Sequence, residues 1–286
     1  MGAPVPTPLG RRRGYTERDE SRYRQRTVGG ASFSTSRQVH ENLTIVVKRF
    51  PVRHQPLDTD RTFVLVHGIG VSSRYFQPLA AELAHLGAVY LVDLPGYGAA
   101  PNPHRDVTIA DHAAVLASML RRTGLDGSVI VGHSWGSQVV STLAIEHAEV
   151  TDHIVLMAPT MEPSARRFWV AARHLLRDSL REPPVVFGIA VTDYLIRCGL
   201  PYLLRQVPHM LQDEMEARLG ALRGRVRVVN GDRDPIVSPG WARQLSQLSG
   251  AIEYREVHGP HVIMHTDPKM IAQHIGTWLR SSGVQR

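Results

Sequence analysis

Apolar residues in this chain come as short runs separated by helix-period stretches, an alternation that begins near Gln38. Leu43-Thr44-Ile45-Val46-Val47 and Phe63-Val64-Leu65-Val66 are β-rich, and the polar, Pro56-bearing stretch from Arg53 to Arg61 between them predicts a turn. From Tyr75 the period changes. Tyr75, Leu79, Leu83 and Leu86 recur at helical spacing and predict a helix over 75–86. Val89-Tyr90-Leu91-Val92 returns to strand, and Thr108 can cap a helix whose apolar face is Ile109, Ala113, Leu116 and Leu120. Val129-Ile130-Val131, the segment after Ser134, and the run Ile154 to Met157 add a further strand-helix-strand unit. Short apolar strands separated by helices require helices on both sheet faces, so the pattern predicts an α/β fold with a mostly parallel sheet.

From Pro159 to about Arg223 the alternation gives way to helix-like segments with breaks at Pro183-Pro184, Gly199-Leu200-Pro201 and Pro208. Phe168, Trp169, Leu175 and Leu176 offer one apolar face there, and Tyr194, Leu195 and Leu203 another. An insertion after a sheet strand can lie as a cap over the carboxyl ends of the strands, where sites form. The core pattern then resumes: strand-like Val226 to Asn230, a helix from Trp241 to Leu248, strand-like Ile252 to Val257, and a last helix with Met270, Ile271, Ile275, Trp278 and Leu279 on its buried face. The expected organisation is a flexible basic extension over 1–37, a core in two parts (38–158 and 224–281), a helical cap over 159–223 and a polar tail over 282–286.

Composition narrows the function classes. With 286 residues, 43% of them apolar and 21% charged, the chain fits a globular body with one insertion. The net charge of +7 is not spread evenly, because residues 1–38 hold eight arginines against three acidic residues. That stretch has no aromatic-basic interleaving and no helix-turn-helix spacing, so a solvated extension is favoured over a nucleic-acid arm. No apolar stretch follows Arg11-Arg12-Arg13, which argues against an export signal, and no run of about 18 apolar residues suggests a transmembrane span. Cys198 is the single cysteine, which excludes an intrachain disulfide framework; a packed thiol in a reducing, cytoplasmic setting is expected.

The chemistry concentrates at Gly132-His133-Ser134-Trp135-Gly136, a G-x-S-x-G segment between an apolar strand and a helix-compatible stretch. Glycines on either side of Ser134 permit a tight strand-to-helix turn that projects the hydroxyl, which makes Ser134 the candidate nucleophile. An unperturbed hydroxyl needs a base, and that base needs a carboxylate to orient it. Asn230-Gly231-Asp232-Arg233-Asp234-Pro235 leaves a strand and supplies Asp234 as the favoured acid, with Asp232 as the alternative. His258-Gly259-Pro260-His261 leaves the next strand and supplies His261 as base, with His258 as a supporting group and His265 facing the last helix. The three histidines lack a metal-ligand spacing, so zinc is not expected. Backbone N–H groups of Trp135 and Ile69, the latter in His67-Gly68-Ile69-Gly70, are the candidate oxyanion donors, and His67 is expected to orient its loop.

These segments, together with Asp93-Leu94-Pro95-Gly96-Tyr97-Gly98, make residues 40–281 similar to the α/β-hydrolase superfamily, in particular its compact, cap-bearing esterases, carbon-carbon-bond hydrolases and proline-releasing aminopeptidases. The resemblance implies the nucleophile, acid and base order Ser134, Asp234, His261 and an eight-stranded sheet with the cap between its sixth and seventh strands. It also implies a structural role for Asp93. The expected activity is hydrolysis of a small or medium hydrophobic carboxylic ester, with an acyl substrate and water as partners. Amide or carbon-carbon cleavage can use the same apparatus, and a noncatalytic ligand-binding or interaction protein is the alternative from another class. No phosphate-loop motif is present, and neither a nicotinamide nor a flavin cofactor is needed.

Overall fold

The computed structural model describes residues 24–28, 31–50, 61–167 and 184–281. The tail before residue 24, most of the turn expected from Arg53 to Arg61, the apolar cap positions Phe168, Trp169, Leu175 and Leu176, and the residues after 281 lie outside that description.

Among the described residues nine strands form one sheet: β1 (Arg24–Val28), β2 (Ala31–His40), β3 (Leu43–Phe50), β4 (Thr62–Val66), β5 (Ala88–Asp93), β6 (Val129–His133), β7 (His153–Met157), β8 (Arg225–Gly231) and β9 (Ile252–Val257). Their order across the sheet is β1-β2-β3-β5-β4-β6-β7-β8-β9. Pairings from β5 to β9 are all parallel, whereas β1–β2, β2–β3 and β3–β5 are antiparallel. Strands β2 to β9 are the eight of the expected α/β-hydrolase sheet, and β1 adds a further edge strand. The expectation of a flexible extension through residue 37 is therefore corrected for 24–28 and 31–37, which pair as strands. Glu41 and Asn42, both at positive φ, close the β2–β3 hairpin as a two-residue turn.

The all-apolar central strands still obey a period of two. Phe63 and Leu65 of β4 and Val129 and Val131 of β6 pack on one face, against α1 (Gln77–Leu83), α8 (Ile263–Thr266) and α9 (Pro268–Ser281). Val64, Val66 and Ile130 pack on the other, against α2 (Ile109–Thr123) and α3 (Trp135–Glu146). Thr108 does cap α2. Its Oγ1 accepts from Asp111 N–H while the Asp111 carboxylate accepts from Thr108 N–H, a reciprocal box. The helix α7 (Pro239–Ser246) is the crossover from β8 to its parallel neighbour β9.

Between β7 and β8, the sixth and seventh of the eight, the described part of the insertion holds α4 (Pro184–Thr192), a π-helical turn over Asp193–Arg197, α5 (Leu200–Gln212) and α6 (Met215–Leu219). The expected break at Gly199 is present. Pro208, in contrast, does not end α5. A proline there removes the bond to the Leu204 carbonyl, and Leu204 stands on the exposed face, while buried Tyr202, Gln206 and Met210 hold the opposite face on the core. Among the described residues no single helix is long and apolar enough to cross a membrane.

Candidate active site

Ser134 sits between the last residue of β6 and the first of α3 at φ 53°, a left-handed conformation rare for a side chain with a Cβ. The chain can turn this sharply because of the glycines around it. A Cβ on Gly132 would lie 2.5 Å from the Gly136 carbonyl oxygen, and one on Gly136 would lie 2.5 Å from the carbonyl oxygens of both Val66 and His67. Backbone therefore crosses backbone on both sides of the serine, and the spacing of the motif follows from that contact.

The loop after β4 runs directly against this turn, since a Cβ on Gly68 would be 3.3 Å from the Ser134 Cβ. Buried His67 fixes the loop: its Nδ1–H donates to the Gly68 carbonyl at 2.8 Å, and its Nε2 accepts the Leu94 N–H at 3.1 Å. Burial pushes its pKa down, consistent with a neutral ring that holds one tautomer. Gly68 N–H is already used, donating to the Tyr75 hydroxyl at 2.8 Å. Ile69 N–H is the next donor along the loop, and Trp135 N–H opens α3 beside Ser134.

Asp234 and His261 come together from the ends of β8 and β9, with His261 Nδ1 2.8 Å from Asp234 Oδ2 and both residues buried. The second carboxylate oxygen, Oδ1, accepts the N–H groups of Ile236 and Val237 at 2.8 and 2.9 Å. Asp234 is thus held by its own turn and can only accept, so the His261 proton belongs on Nδ1 and Nε2 is the basic nitrogen. Asp232 takes another direction. It pairs at the surface with His258 at 2.9 Å and accepts Gly259 N–H at 3.0 Å. His258 is mostly exposed there, and His265 lies on α8. Among the described residues no group of three or more His, Cys, Asp or Glu side chains could hold a metal ion.

Two residues that sequence reasoning did not single out join these loops. Tyr75 donates its hydroxyl proton to His133 Nδ1 at 2.8 Å, and His133 Nε2–H donates to the backbone carbonyl of His261 at 3.1 Å. The imidazoles of His133 and His261 lie with centroids 4.7 Å apart. Burial first, then the neighbouring His261, holds the His133 pKa well below the ordinary imidazole range, so the ring stays neutral and keeps both bonds. The histidine inside the G-x-S-x-G segment therefore ties the base loop to the serine turn.

Asp93, at the end of β5, braces the same region from below. It accepts from Lys48 Nζ at 2.7 Å, from Ser73 N–H and Oγ–H at 2.9 and 2.6 Å, and from Ala99 N–H at 2.9 Å. Burial alone would raise its pKa, but Lys48, His67 and Ser73 outweigh that and hold the carboxyl below the usual carboxylate range. From the other side, the insertion between β7 and β8 is fastened by buried Asp193, which accepts Ser72 N–H at 2.8 Å, Ser72 Oγ–H at 2.6 Å and an Arg74 guanidinium N–H at 2.8 Å. The adjacent Tyr194 ring covers Gly70, and α5 docks through Tyr202 to the Pro95 carbonyl and Gln206 to the Val107 carbonyl, each at 3.0 Å. Nothing in the pattern around Asp193 marked it as buried. Cys198 is also buried, and its thiol pKa is pushed up to about 12, first by desolvation and then by Asp193, which suppresses thiolate chemistry.

A family model described as the alpha/beta hydrolase family matches residues 63–284. The chain is similar to the probable lysophospholipase BODYGUARD 4 of Arabidopsis thaliana, 29% identical over 163 residues that make up 55% of this chain and 39% of that protein. It is also similar to the pimeloyl-acyl-carrier-protein methyl ester esterase of Vibrio cholerae serotype O1, 30% identical over 106 residues, 37% of this chain and 40% of the esterase. The chain thus spans well under half the length of these curated relatives. Among solved structures, the enol-lactonase from Burkholderia xenovorans LB400 shares the fold with a TM-score of 0.72 at 16% identity, over 85% of this chain and 99% of that one.

Proposed function

The chain belongs to the alpha/beta hydrolase family, and from that premise we propose that it is a serine hydrolase that cleaves a small or medium hydrophobic carboxylic ester through an acyl-enzyme. One observation carries this reading: the serine turn, the Gly68 loop and the hydrogen-bonded Asp234–His261 pair are drawn together, with His133 bonded to the backbone of His261. In the proposed cycle the Ser134 hydroxyl attacks the ester carbonyl and gives its proton to His261 Nε2. The Ile69 and Trp135 N–H groups receive the oxyanion, and Asp234 stabilises the imidazolium through Nδ1–H. His261 then protonates the departing alcohol. Water attacks the acyl-enzyme, passes a proton to His261, and the acid leaves as Ser134 regains its proton.

An apolar acyl group is supported by Tyr194 and Leu203, which converge over Gly70 beside the serine turn. A carboxylic ester is also the substrate class of the similar Vibrio cholerae methyl ester esterase. The test joins a fluorophosphonate probe to a panel of esters, amides and 1,3-diketones. We expect the probe to label the wild-type protein and not Ser134→Ala, and ester turnover to disappear with that substitution. Normal turnover by Ser134→Ala refutes the nucleophile, selective cleavage of amides or diketones refutes the ester, and saturable partner binding without labelling or hydrolysis favours an interaction protein.

A further inference from the structure

Apolar exposure in this protein is concentrated in one place. Of the nine large hydrophobic side chains that stand exposed among the described residues, seven lie between Val185 and Leu204, on α4, the π-helical turn and the start of α5. Val185, Leu195 and Ile196 are 65%, 64% and 78% exposed. The inner side of the same segment is spoken for: Ala190, Asp193, Cys198 and Tyr202 are buried, and Tyr194 covers Gly70 beside the serine turn. The cap thus has an apolar outer face directly above the proposed catalytic loops. Single exposed apolar residues are ordinary, but seven of them within this one stretch of chain point to a contact surface.

The chemistry of this face selects its partner. The helix α4, PVVFGIAVT, carries no charge. Between residues 184 and 208 the charged residues are Asp193, Arg197 and Arg205; Asp193 is buried against Ser72 and Arg74 and pairs with Arg197 at 3.4 Å, so the charge presented outward is the cation of exposed Arg205. The segments Phe187–Arg197 and Leu200–Gln212 together reach the length and hydropathy of a membrane span, yet they bend by 106° between them. Such a pair fits lying in an interface rather than crossing it. The centre of a protein-protein interface draws on Tyr, Trp, Phe, Met and Arg with hydrogen-bonding groups between them, and aliphatic Val and Leu are under-represented among its energetically dominant residues. Here six of the seven exposed hydrophobic side chains are aliphatic, Phe187 being the exception, and Arg205 stands among them, a composition that suits acyl chains with an anionic headgroup at the arginine.

We propose that the outer face of the cap docks on an anionic lipid surface, and, resting on the hydrolase reading above, that the ester is an amphiphile delivered from that surface. The full-length chain carrying Ser134→Ala, which cannot turn over lipid, is mixed with vesicles of phosphatidylcholine with or without phosphatidylglycerol and separated by flotation. We expect binding to the anionic vesicles. The double substitution Val185→Ser with Ile196→Ser lowers the partition by about tenfold or more, and Arg205→Gln lowers it about fivefold on anionic vesicles alone. In the otherwise wild-type chain, Val185→Ser with Ile196→Ser leaves turnover of a soluble short-chain ester unchanged.

Absence of vesicle binding overturns the proposal, as does equal binding by the double variant. So does binding that is lost only when Arg11, Arg12 and Arg13 are all replaced by Gln, which would place the contact in the tail. A dimer that the double variant dissociates, without vesicle binding, assigns the face to a second copy of the chain and also overturns it. Fluorophosphonate labelling of Ser134 separates the two readings: docking without labelling removes the hydrolase and the delivered ester, and labelling without docking removes the lipid surface.

Discussion

The hydroxyl of Tyr75 is one oxygen on which two loops of the proposed site depend. It accepts the Gly68 N–H and donates to His133 Nδ1, each at 2.8 Å, and His133 passes the connection to the His261 carbonyl at 3.1 Å. Tyr75→Phe deletes the oxygen and keeps the ring, which packs on Phe76 with centroids 4.6 Å apart. Two buried polar groups, Gly68 N–H and His133 Nδ1, then lose their partner. At about 1–3 kcal/mol for each stranded group, stability falls by about 2–6 kcal/mol. That is less than the whole stability of most domains, about 5–15 kcal/mol, so the variant folds.

The catalytic consequence follows from geometry. Without the hydroxyl the loop carrying Ile69 N–H is no longer tethered to the serine turn, and a displacement on the order of 1 Å at such a donor costs about 100-fold in rate. The loss belongs to the transition state, so kcat on a short-chain ester should fall by about 10- to 100-fold while KM moves by about twofold or less. Urea unfolding and steady-state kinetics of the same preparation separate the two effects. Phe76→Leu, which disturbs the packing without touching the hydrogen bonds, controls for a general loss of stability. Unchanged kcat in Tyr75→Phe with the expected loss of stability would reduce the hydroxyl to a structural role, and no loss of either would refute the hydrogen-bonded chain itself.

Gly70→Ala sets a side chain at φ 75° directly into the Tyr194 ring. Turnover should fall as the cap is forced off the loop, and Tyr194→Ala in the same chain should restore most of it, leaving a backbone penalty of about 1–2 kcal/mol in urea unfolding; failure of that rescue would show that the ring is not what the methyl meets. Acid should unfold the protein early. His67, His112 and His133 are buried with pKa values pushed down by desolvation, His112 to about 3, so as pH falls below 6.5 the unfolded chain takes protons that the folded chain refuses. Stability is then complete above pH 6.5 and declines towards pH 3, with His112 alone contributing a loss on the order of 4–5 kcal/mol. Melting temperatures between pH 8 and pH 4 test this: His112→Gln should flatten the slope, and a profile already flat in the wild type would contradict it.

The central sheet was legible because its strands are buried on both faces and its helices on one, so β4, β5, β6 and β7 read as continuous apolar runs and α2 as a stripe ending in a cap. The edge hairpin was not. Arg24–Val28 and Ala31–His40 carry Arg, Gln, Ser and Thr, the composition of a flexible tail, and what makes them strands is pairing, of β2 with β3 and of β1 with β2, rather than an apolar period of their own. Pro208 misled for a related reason. A breaker acts through one carbonyl, and at an exposed helix face that carbonyl is solvated while the buried face holds the helix together.

The serine turn was legible in the sequence because its constraint falls on the glycines themselves: backbone crossing backbone at Gly132 and Gly136 leaves no room for a Cβ, and the sequence has to record it. Tyr75 and His133 carry a constraint of equal weight across 58 residues, and neither leaves a local mark, since Tyr75 reads as an apolar position in a helical period. The choice between Asp234 and Asp232 had the same character. Both leave β8 in one turn, and only the fold shows that the Ile236 and Val237 N–H groups hold Asp234 inward while His258 draws Asp232 out to solvent. Asp193 extends the point to the cap, because one buried carboxylate bonded to Ser72 and Arg74 makes the ordering of the Gly68 loop depend on the insertion that covers it.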